Sequence, residues 1–305
     1  MNGCLICGES IKPGELMHLK CRRSLFGVSY IPKLNFSLND IIFEAQKMAG
    51  KLSISGVQPK LSMRLDKGSK ELVTVVKDGE FILKPQTNTF PELPENENLC
   101  MTIAQKLGID TPPHTLLKLK DGSCAYLVKR FDRVNGKKIN QEDFCQVLGK
   151  PTKDKYTGSI EQIANKLSEI SEFPNLDIQL LYERVLFSFI IGNGDAHLKN
   201  YSINYTSLNN IRLSPSYDMV SSKLLLPDEE DSALPINGKS NKLTINDFLQ
   251  FSDRFNIPYK ITERIISKKA LILDLIKDSM LSPEFIQNLT GIVKERIGRL
   301  EKGER

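Results

Sequence analysis

The stretch Asp177–Ile191 constrains this chain more than any other: it is the most apolar helical segment, and it reads as a helix buried at the centre of a core. Its longest apolar run, Val185-Leu186-Phe187-Ser188-Phe189-Ile190-Ile191, is broken by Ser188 and is too short to cross a bilayer, so no membrane segment is expected. The rest of the chain must cover this helix. Gly192 to Gly194 ends it, and 305 residues suffice for one large domain or two smaller ones around it.

The regions before and after the helix differ in kind. Residues 1–30 form a Cys-containing leader, and Ile31-Pro32-Lys33-Leu34 connects it to a short helix over Asn39–Met48. Leu61–Leu65 alternates with period two, Leu72–Val76 is a β-branched run, and Asp78-Gly79 signals a hairpin before Phe81-Ile82-Leu83. Glu95–Leu107 has helical spacing at Leu99, Ile103 and Leu107, capped by Gly108. A second hairpin joins Leu116–Leu119 to Ala125–Val128 through Asp121-Gly122. Beyond Asp132 helices dominate, apart from strands at Tyr201–Tyr205 and Ile211–Leu213 turned at Asn209-Asn210. The last part reads as helices near 244–252, 262–278 and 283–301. The outline is α+β: a small sheet-rich lobe followed by a larger helical one.

Lys and Arg number 42 against 37 Asp and Glu, a net charge of +5 that excludes a histone-like or polybasic chain but not a local basic patch. Six cysteines without framework spacing, and no apolar leader after Met1, point to a reduced, cytoplasmic protein. Cys100, Cys124 and Cys145 lie in apolar patterns and read as core residues. Cys4-x2-Cys7 with His18-x2-Cys21 has instead the ligand types and paired spacing of a small zinc knuckle; a metal-free leader with ordinary thiols is the alternative.

The strongest chemical signal is Gly192-Asn193-Gly194-Asp195-Ala196-His197-Leu198-Lys199-Asn200, directly after the buried helix. Asp195 and Asn200 have the Asp-x4-Asn spacing of a kinase catalytic loop, in which a carboxylate accepts the proton of the attacking hydroxyl and a neutral oxygen helps hold magnesium. Asp218, in Ser216-Tyr217-Asp218, stands where kinases keep a second magnesium ligand. Taken alone, Asp195 and Asn200 are equally good turn residues. Lys84, at a strand end, with Glu97 early on the following helix, has the order of a phosphate-binding Lys braced by a helix carboxylate. A surface Lys and a first-turn helix acid are the bland alternatives, but the whole order is hard to obtain by accident. Lys51–Lys60 has one Gly and lies where a kinase covers the phosphates, although alone it would read as a polar turn.

In order and spacing, these segments resemble the HipA serine/threonine kinase toxins: Ser-x-Ser-Gly-x-Gln-x-Lys at 53–60, Ile-Leu-Lys-Pro at 82–85, Glu-Asn-Glu at 95–97, Lys-Arg-Phe-Asp-Arg at 129–133, Gln-Glu-Asp-Phe-Cys-Gln at 141–146, Gly-Asp-Ala-His-Leu-Lys-Asn at 194–200 and Ser-Tyr-Asp at 216–218. The resemblance runs from about residue 50 to 220 and weakens in the C-terminal helices. It implies a bilobal, protein-kinase-like fold with an antiparallel-sheet N-lobe over 31–132 and a helical C-lobe over 133–305. It also implies ATP and magnesium as ligands, with Asp195 as catalytic base and Asn200 and Asp218 as magnesium ligands. Lys84 would contact the α- and β-phosphates with Glu97 as its partner, and Ser55, Gly56, Val57, Gln58, Pro59 and Lys60 would form the phosphate loop. Backbone groups of Lys129, Arg130 and Phe131 would hold adenine; family members often carry Glu in place of Lys129. His197 and Lys199 would lie beside the phosphates, with His197 alternatively bracing the loop, and Tyr217 would line the nucleotide site.

Ser53 matches the family's autophosphorylated residue, and Ser55 is a second hydroxyl where other members have none. Such a serine pair resembles HipT, the shorter relative of HipA. A phosphate on either serine adds nearly two negative charges and would block nucleotide binding. Only about 50 residues precede Ser53, and the resemblance implies that a separate HipS-like protein supplies an N-terminal module and joins a HipB-like DNA-binding antitoxin. The implied activity is that of a toxin phosphorylating a protein substrate, an aminoacyl-tRNA synthetase being one candidate. Alternatives are a small-molecule kinase, or a non-catalytic nucleotide-binding subunit of a DNA-bound repressor complex with Lys239-Ser240-Asn241-Lys242 near the DNA; that segment also reads as a solvated loop.

Overall fold

The computed structural model of the chain describes residues 3–49, 58–134, 137–207 and 210–302. Helices α1 (Leu19–Phe26) and α2 (Leu38–Ala49) precede a five-stranded antiparallel sheet. Its strands are β1 (Leu61–Asp66), β2 (Glu71–Thr74), β3 (Phe81–Pro85), β4 (His114–Lys118) and β5 (Cys124–Lys129), in the order β2-β1-β3-β5-β4. Helix α3 (Leu93–Lys106) links β3 to β4 and packs on β4 and β5. Period-two alternation sends Leu61, Met63 and Leu65 to one buried face. There they join Cys4, Ile6, Met17, Leu25 and Phe26, so the leader is one wall of the N-lobe core.

Asp78-Gly79 does not close a hairpin between β2 and β3, because β1 lies between them and pairs antiparallel with both. Strand β2 lies against the C-terminal half of β1 and β3 against its N-terminal half, so the connection crosses from one side to the other at Met63. Val75 N–H donates to Ser62 O and Glu80 N–H to Met63 O, at 2.9 and 2.8 Å. A Cβ at Gly79 would overlap the Ser62 side chain, and Asp78 has φ +60°. The Asp-Gly signal is thus spent on a crossing that needs a bare backbone.

The C-lobe starts with a ribbon of β6 (Arg133–Val134) and β7 (Lys137–Lys138). Strand β8 (Asn140–Asp143) then forms a sheet with β9 (Ser202–Ser207) and β10 (Asn210–Leu213), in the order β10-β9-β8. Helices α4 (Phe144–Val147), α5 (Ile160–Ile170), α6 (Pro174–Ile191), α7 (Ile245–Arg254), α8 (Lys260–Ile266), α9 (Lys269–Lys277) and α10 (Pro283–Glu301) complete it. Helix α6 is the buried helix expected from the sequence, covered by α5, α8 and α10. It opens earlier than expected, on Pro174, since a first-turn proline loses no helical hydrogen bond. Asp177, fully buried, accepts Arg212 Nη2 at 2.8 Å and Leu213 N–H at 2.8 Å, which ties the start of α6 to β10. Gly192 ends α6 at φ +70°, and a Cβ there would meet Ile292 of α10 at 2.9 Å.

The expected single helix over 262–278 is two. Ser267 Oγ donates to Arg264 O at 2.9 Å at the break, while Ile261 and Ile265 of α8 and Ile272 and Ile276 of α9 keep a near-helical spacing across it. Lys239, in the stretch set beside DNA in one reading, pairs with Asp247 at 2.8 Å. Among the described residues no helix is long and apolar enough to cross a membrane.

Candidate active site

A cleft of about 1200 Å³ brings Gln58, Lys60, Lys84 and Glu97 of the N-lobe opposite Asp195, His197, Lys199, Asn200 and Asp218 of the C-lobe. Lys84, next to last in β3, is buried, and Glu97 faces it from the first turns of α3. Lys84 Nζ lies 2.5 Å from Glu97 Oε1 and also contacts Asp218. Lys60 Nζ lies 3.6 Å from the second Asp218 oxygen. Two ammonium groups thus face two carboxylates.

Burial opposes the charge on Lys84, yet the Asp218 and Glu97 carboxylates hold its pKa above that of an ordinary lysine. Burial likewise works against the Asp218 anion, but Lys84 and Lys60 hold its pKa well below the usual carboxylate range. Asp218 has φ +54°, a left-handed backbone that costs a non-glycine residue about 1 kcal/mol and that Asp tolerates better than most.

The loop after α6 is fixed by its glycines. A Cβ at Gly194 would lie 2.5 Å from Glu230 O, and Gly194 N–H donates to Ser222 Oγ at 2.8 Å. Asp195 is exposed, and its Oδ1 accepts the Tyr156 hydroxyl at 2.6 Å. His197 N–H donates to Asn200 Oδ1 at 3.1 Å, which orients the Asn200 amide. The His197 ring packs edge-on against Tyr156 with centroids 5.1 Å apart, and burial lowers its pKa and favours the neutral ring. Lys199 Nζ reaches Asp143 Oδ2 at 2.5 Å.

Other expected residues lie off the cleft lining. Tyr217 donates to Lys199 O at 2.9 Å and packs on Phe131 with centroids 5.6 Å apart. Lys129 N–H donates to Pro113 O and Arg130 N–H to Glu80 O, each at 2.8 Å. Backbone recognition of a base there would fall to the Phe131 N–H or to carbonyl oxygens. The Arg130 side chain pairs with Asp132 at 2.7 Å. Pro59 directly precedes Lys60 without lining the cleft, whereas Gln58 does line it and donates its Nε2 to Pro85 O at 2.9 Å. Ser53, Ser55, Gly56 and Val57 lie outside the described residues. Cys4, Cys7, His18 and Cys21 come together away from the cleft, while Cys100, Cys124 and Cys145 are buried.

Sequence reasoning did not single out Tyr156, which reaches Asp195 from a turn 39 residues upstream, or Glu229, which bonds Ser222 beside Gly194. No local pattern marks either. The donor set fits a hard divalent cation such as magnesium: Asn200 and Asp218 could offer oxygens, Lys84 beside Asp218 could meet phosphate, and Asp195, open to solvent, could accept a proton.

Comparison with known proteins bears on the fold and the family. The chain is 27% identical over 343 residues, 98% of each chain, to a protein of Haemophilus influenzae named as a candidate kinase. It is 34% identical over 207 residues to a similarly named protein of Sinorhizobium fredii, covering 63% of this chain and 50% of that one. It is 27% identical over 230 residues to the serine/threonine-protein kinase toxin HipA of Shewanella oneidensis, covering 68% and 52%. The chain therefore spans nearly all of the Haemophilus relative but about half the length of the other two. Among solved structures, a chain from the complex of Shewanella oneidensis HipA, HipB and operator DNA superposes with a TM-score of 0.66 at 24% identity, over 82% of this chain and 65% of that one. The Helicobacter pylori proinflammatory kinase CtkA superposes at 0.54 and 17%, over 73% and 86%. The fold is thus kinase-like. Residues 52–273 match the model of the HipA-like C-terminal domain, and with most of its length inside that match the chain belongs to the HipA-like kinase family.

Proposed function

We propose that this chain is an ATP-dependent serine/threonine protein kinase acting as the toxin of a toxin–antitoxin system. The observation that carries the reading is Lys84, held between Glu97 and Asp218 on the wall of the cleft that Asp195 and Asn200 also line. Lys84 would bind phosphate oxygens, with Glu97 keeping it in place. Asn200 and Asp218 would hold magnesium, which when bound neutralises phosphate charge. Asp195 would accept the proton of the attacking hydroxyl, with Tyr156 steadying its carboxylate through the 2.6 Å hydrogen bond. His197 and Lys199 complete the loop beside the phosphates.

Autophosphorylation at Ser53 or Ser55 would switch the enzyme off by placing negative charge beside the nucleotide phosphates. The Shewanella relative has been seen together with HipB and operator DNA. By analogy a HipB-like antitoxin is the expected partner here, together with a HipS-like protein and a protein substrate such as an aminoacyl-tRNA synthetase. We place the chain in the cytoplasm, where its cysteines, none of them in a disulfide, stay reduced.

Incubation with labelled ATP and magnesium in a cell lysate tests the activity. Labelled protein bands that disappear with Asp195→Asn are expected; full labelling by that variant would overturn the assignment. If a Ser53→Ala, Ser55→Ala protein binds ATP no better than the phosphorylated form, the self-inactivation idea fails.

A further inference from the structure

The N-terminal leader carries a second cluster that the proposed reaction does not use. Cys4, Cys7, His18 and Cys21 each offer one ligand atom, and all four atoms lie within 4.8 Å of one another. His18 Nδ1 is 3.4 Å from Cys7 Sγ and 3.9 Å from Cys21 Sγ, while His18 N–H donates to Cys4 Sγ at 3.4 Å. Zinc bonds of roughly 2.0 to 2.3 Å in a tetrahedron place ligand atoms roughly 3.3 to 3.8 Å apart, so the four need little movement to close on one ion.

The surroundings are those of a built site. His18 Nε2 lies 3.0 Å from Ser10 O, which fixes the proton on Nε2 and leaves Nδ1, the atom facing the sulfurs, with a free lone pair. Cys4 and Cys7 sit on a tight turn closed by Gly8 N–H to Cys4 O at 2.8 Å, with Gly8 at φ +68°. His18 caps the start of α1 and Cys21 follows three residues later, on the same side of the helix. Knuckle and helix start thus supply two ligands each.

We propose that Cys4, Cys7, His18 and Cys21 hold one structural zinc ion that clamps the Cys4–Cys7 turn to the start of α1 and so fixes the shape of the leader. On binding, three thiol protons leave to solvent, and the three thiolates and neutral imidazole give the centre a net charge of −1. All four positions are filled by protein, the pattern of a structural rather than a catalytic site. The element it fixes bears on the rest of the lobe. Phe26 of α1 packs on Phe81 of β3 with centroids 5.9 Å apart, Thr115 of β4 donates to Leu5 O at 3.2 Å, and Ser24 O accepts Lys129 Nζ at 3.1 Å at the end of β5. Zinc in the leader would therefore steady the sheet from the face opposite α3.

Elemental analysis of the full chain, expressed with zinc in the medium and dialysed free of loose metal, should find one zinc per chain. Cys7→Ser with Cys21→Ser should lose it, whereas Cys124→Ser should keep it. Should the double variant unfold, the unmutated protein provides the second reading: cobalt exchanged into it should give the visible bands of a tetrahedral ion and a thiolate charge-transfer band. Absence of zinc from the unmutated protein, an octahedral cobalt spectrum, or full zinc content in the double variant would each overturn the proposal.

Discussion

The two walls of the cleft handle charge in opposite ways. On the wall around β3 and α3, Lys84 and Glu97 are each only 4% exposed, and together with Asp218 they satisfy one another. On the wall formed by the loop after α6, Asp195 is exposed and its carboxylate is held by Tyr156, itself 48% exposed. A buried charge cluster is part of the fold, because removing one member strands the others. An exposed carboxylate costs the fold little and remains free to react. The first wall should therefore lose stability and activity together when mutated, and the second should lose activity alone.

The sharpest way to break this contrast is at its two centres. Asp195→Asn should lower phosphotransfer by about a thousandfold, the scale of a lost general base, while denaturant unfolding shifts by less than about 0.5 kcal/mol. A large stability loss would show that the loop is structural after all. Lys84→Met should also abolish transfer, but with a loss of roughly 3 to 5 kcal/mol in unfolding free energy, since Glu97 and Asp218 lose their shared cation. An unchanged unfolding curve would mean that the cluster is not coupled to the fold.

A pH titration extends the comparison to the interior of the N-lobe. His114 is fully buried on β4, where burial lowers its pKa from 6.5 to about 4. Between those values the unfolded chain binds a proton that the folded chain does not, so stability is full above about pH 6.5 and is lost as pH falls toward 4. The loss should reach roughly 3 kcal/mol. His114→Gln should flatten it, as read by thermal unfolding across that range. The smallest effect is expected at Tyr156. Tyr156→Phe keeps the ring against His197 and removes one hydrogen bond to Asp195, so kcat should fall by about fivefold, on the scale of about 1 kcal/mol, with unfolding unmoved; an unchanged kcat would leave Tyr156 as packing only.

The sequence disclosed what is local in the chain. Asp195, His197, Lys199 and Asn200 come from one loop, and Lys84 and Glu97 from one strand and the helix after it, so order and spacing reveal them. Helix α6 was legible because an apolar segment of that length has to be buried. Contacts between distant segments left no such trace. Tyr156 bonds Asp195 across 39 residues, β8 pairs with β9 across some sixty, and the insertion of β1 between β2 and β3 leaves only an Asp-Gly pair that looks like a hairpin. The break between α8 and α9 is hidden for another reason: the backbone leaves the helical conformation at Lys268 while the apolar spacing continues on both sides.

The contact between Lys84 and Asp218 has a thermodynamic corollary. Under the proposed function these residues receive different ligands, phosphate on the lysine and a divalent cation on the aspartate, yet without ligands each is the other's counter-ion. Phosphate drawing on Lys84 leaves the Asp218 anion under-compensated, and a cation on Asp218 leaves Lys84 with one carboxylate instead of two. Each ligand corrects the imbalance that the other creates. Nucleotide and metal should therefore bind with positive heterotropic linkage, each raising the other's affinity by the same factor.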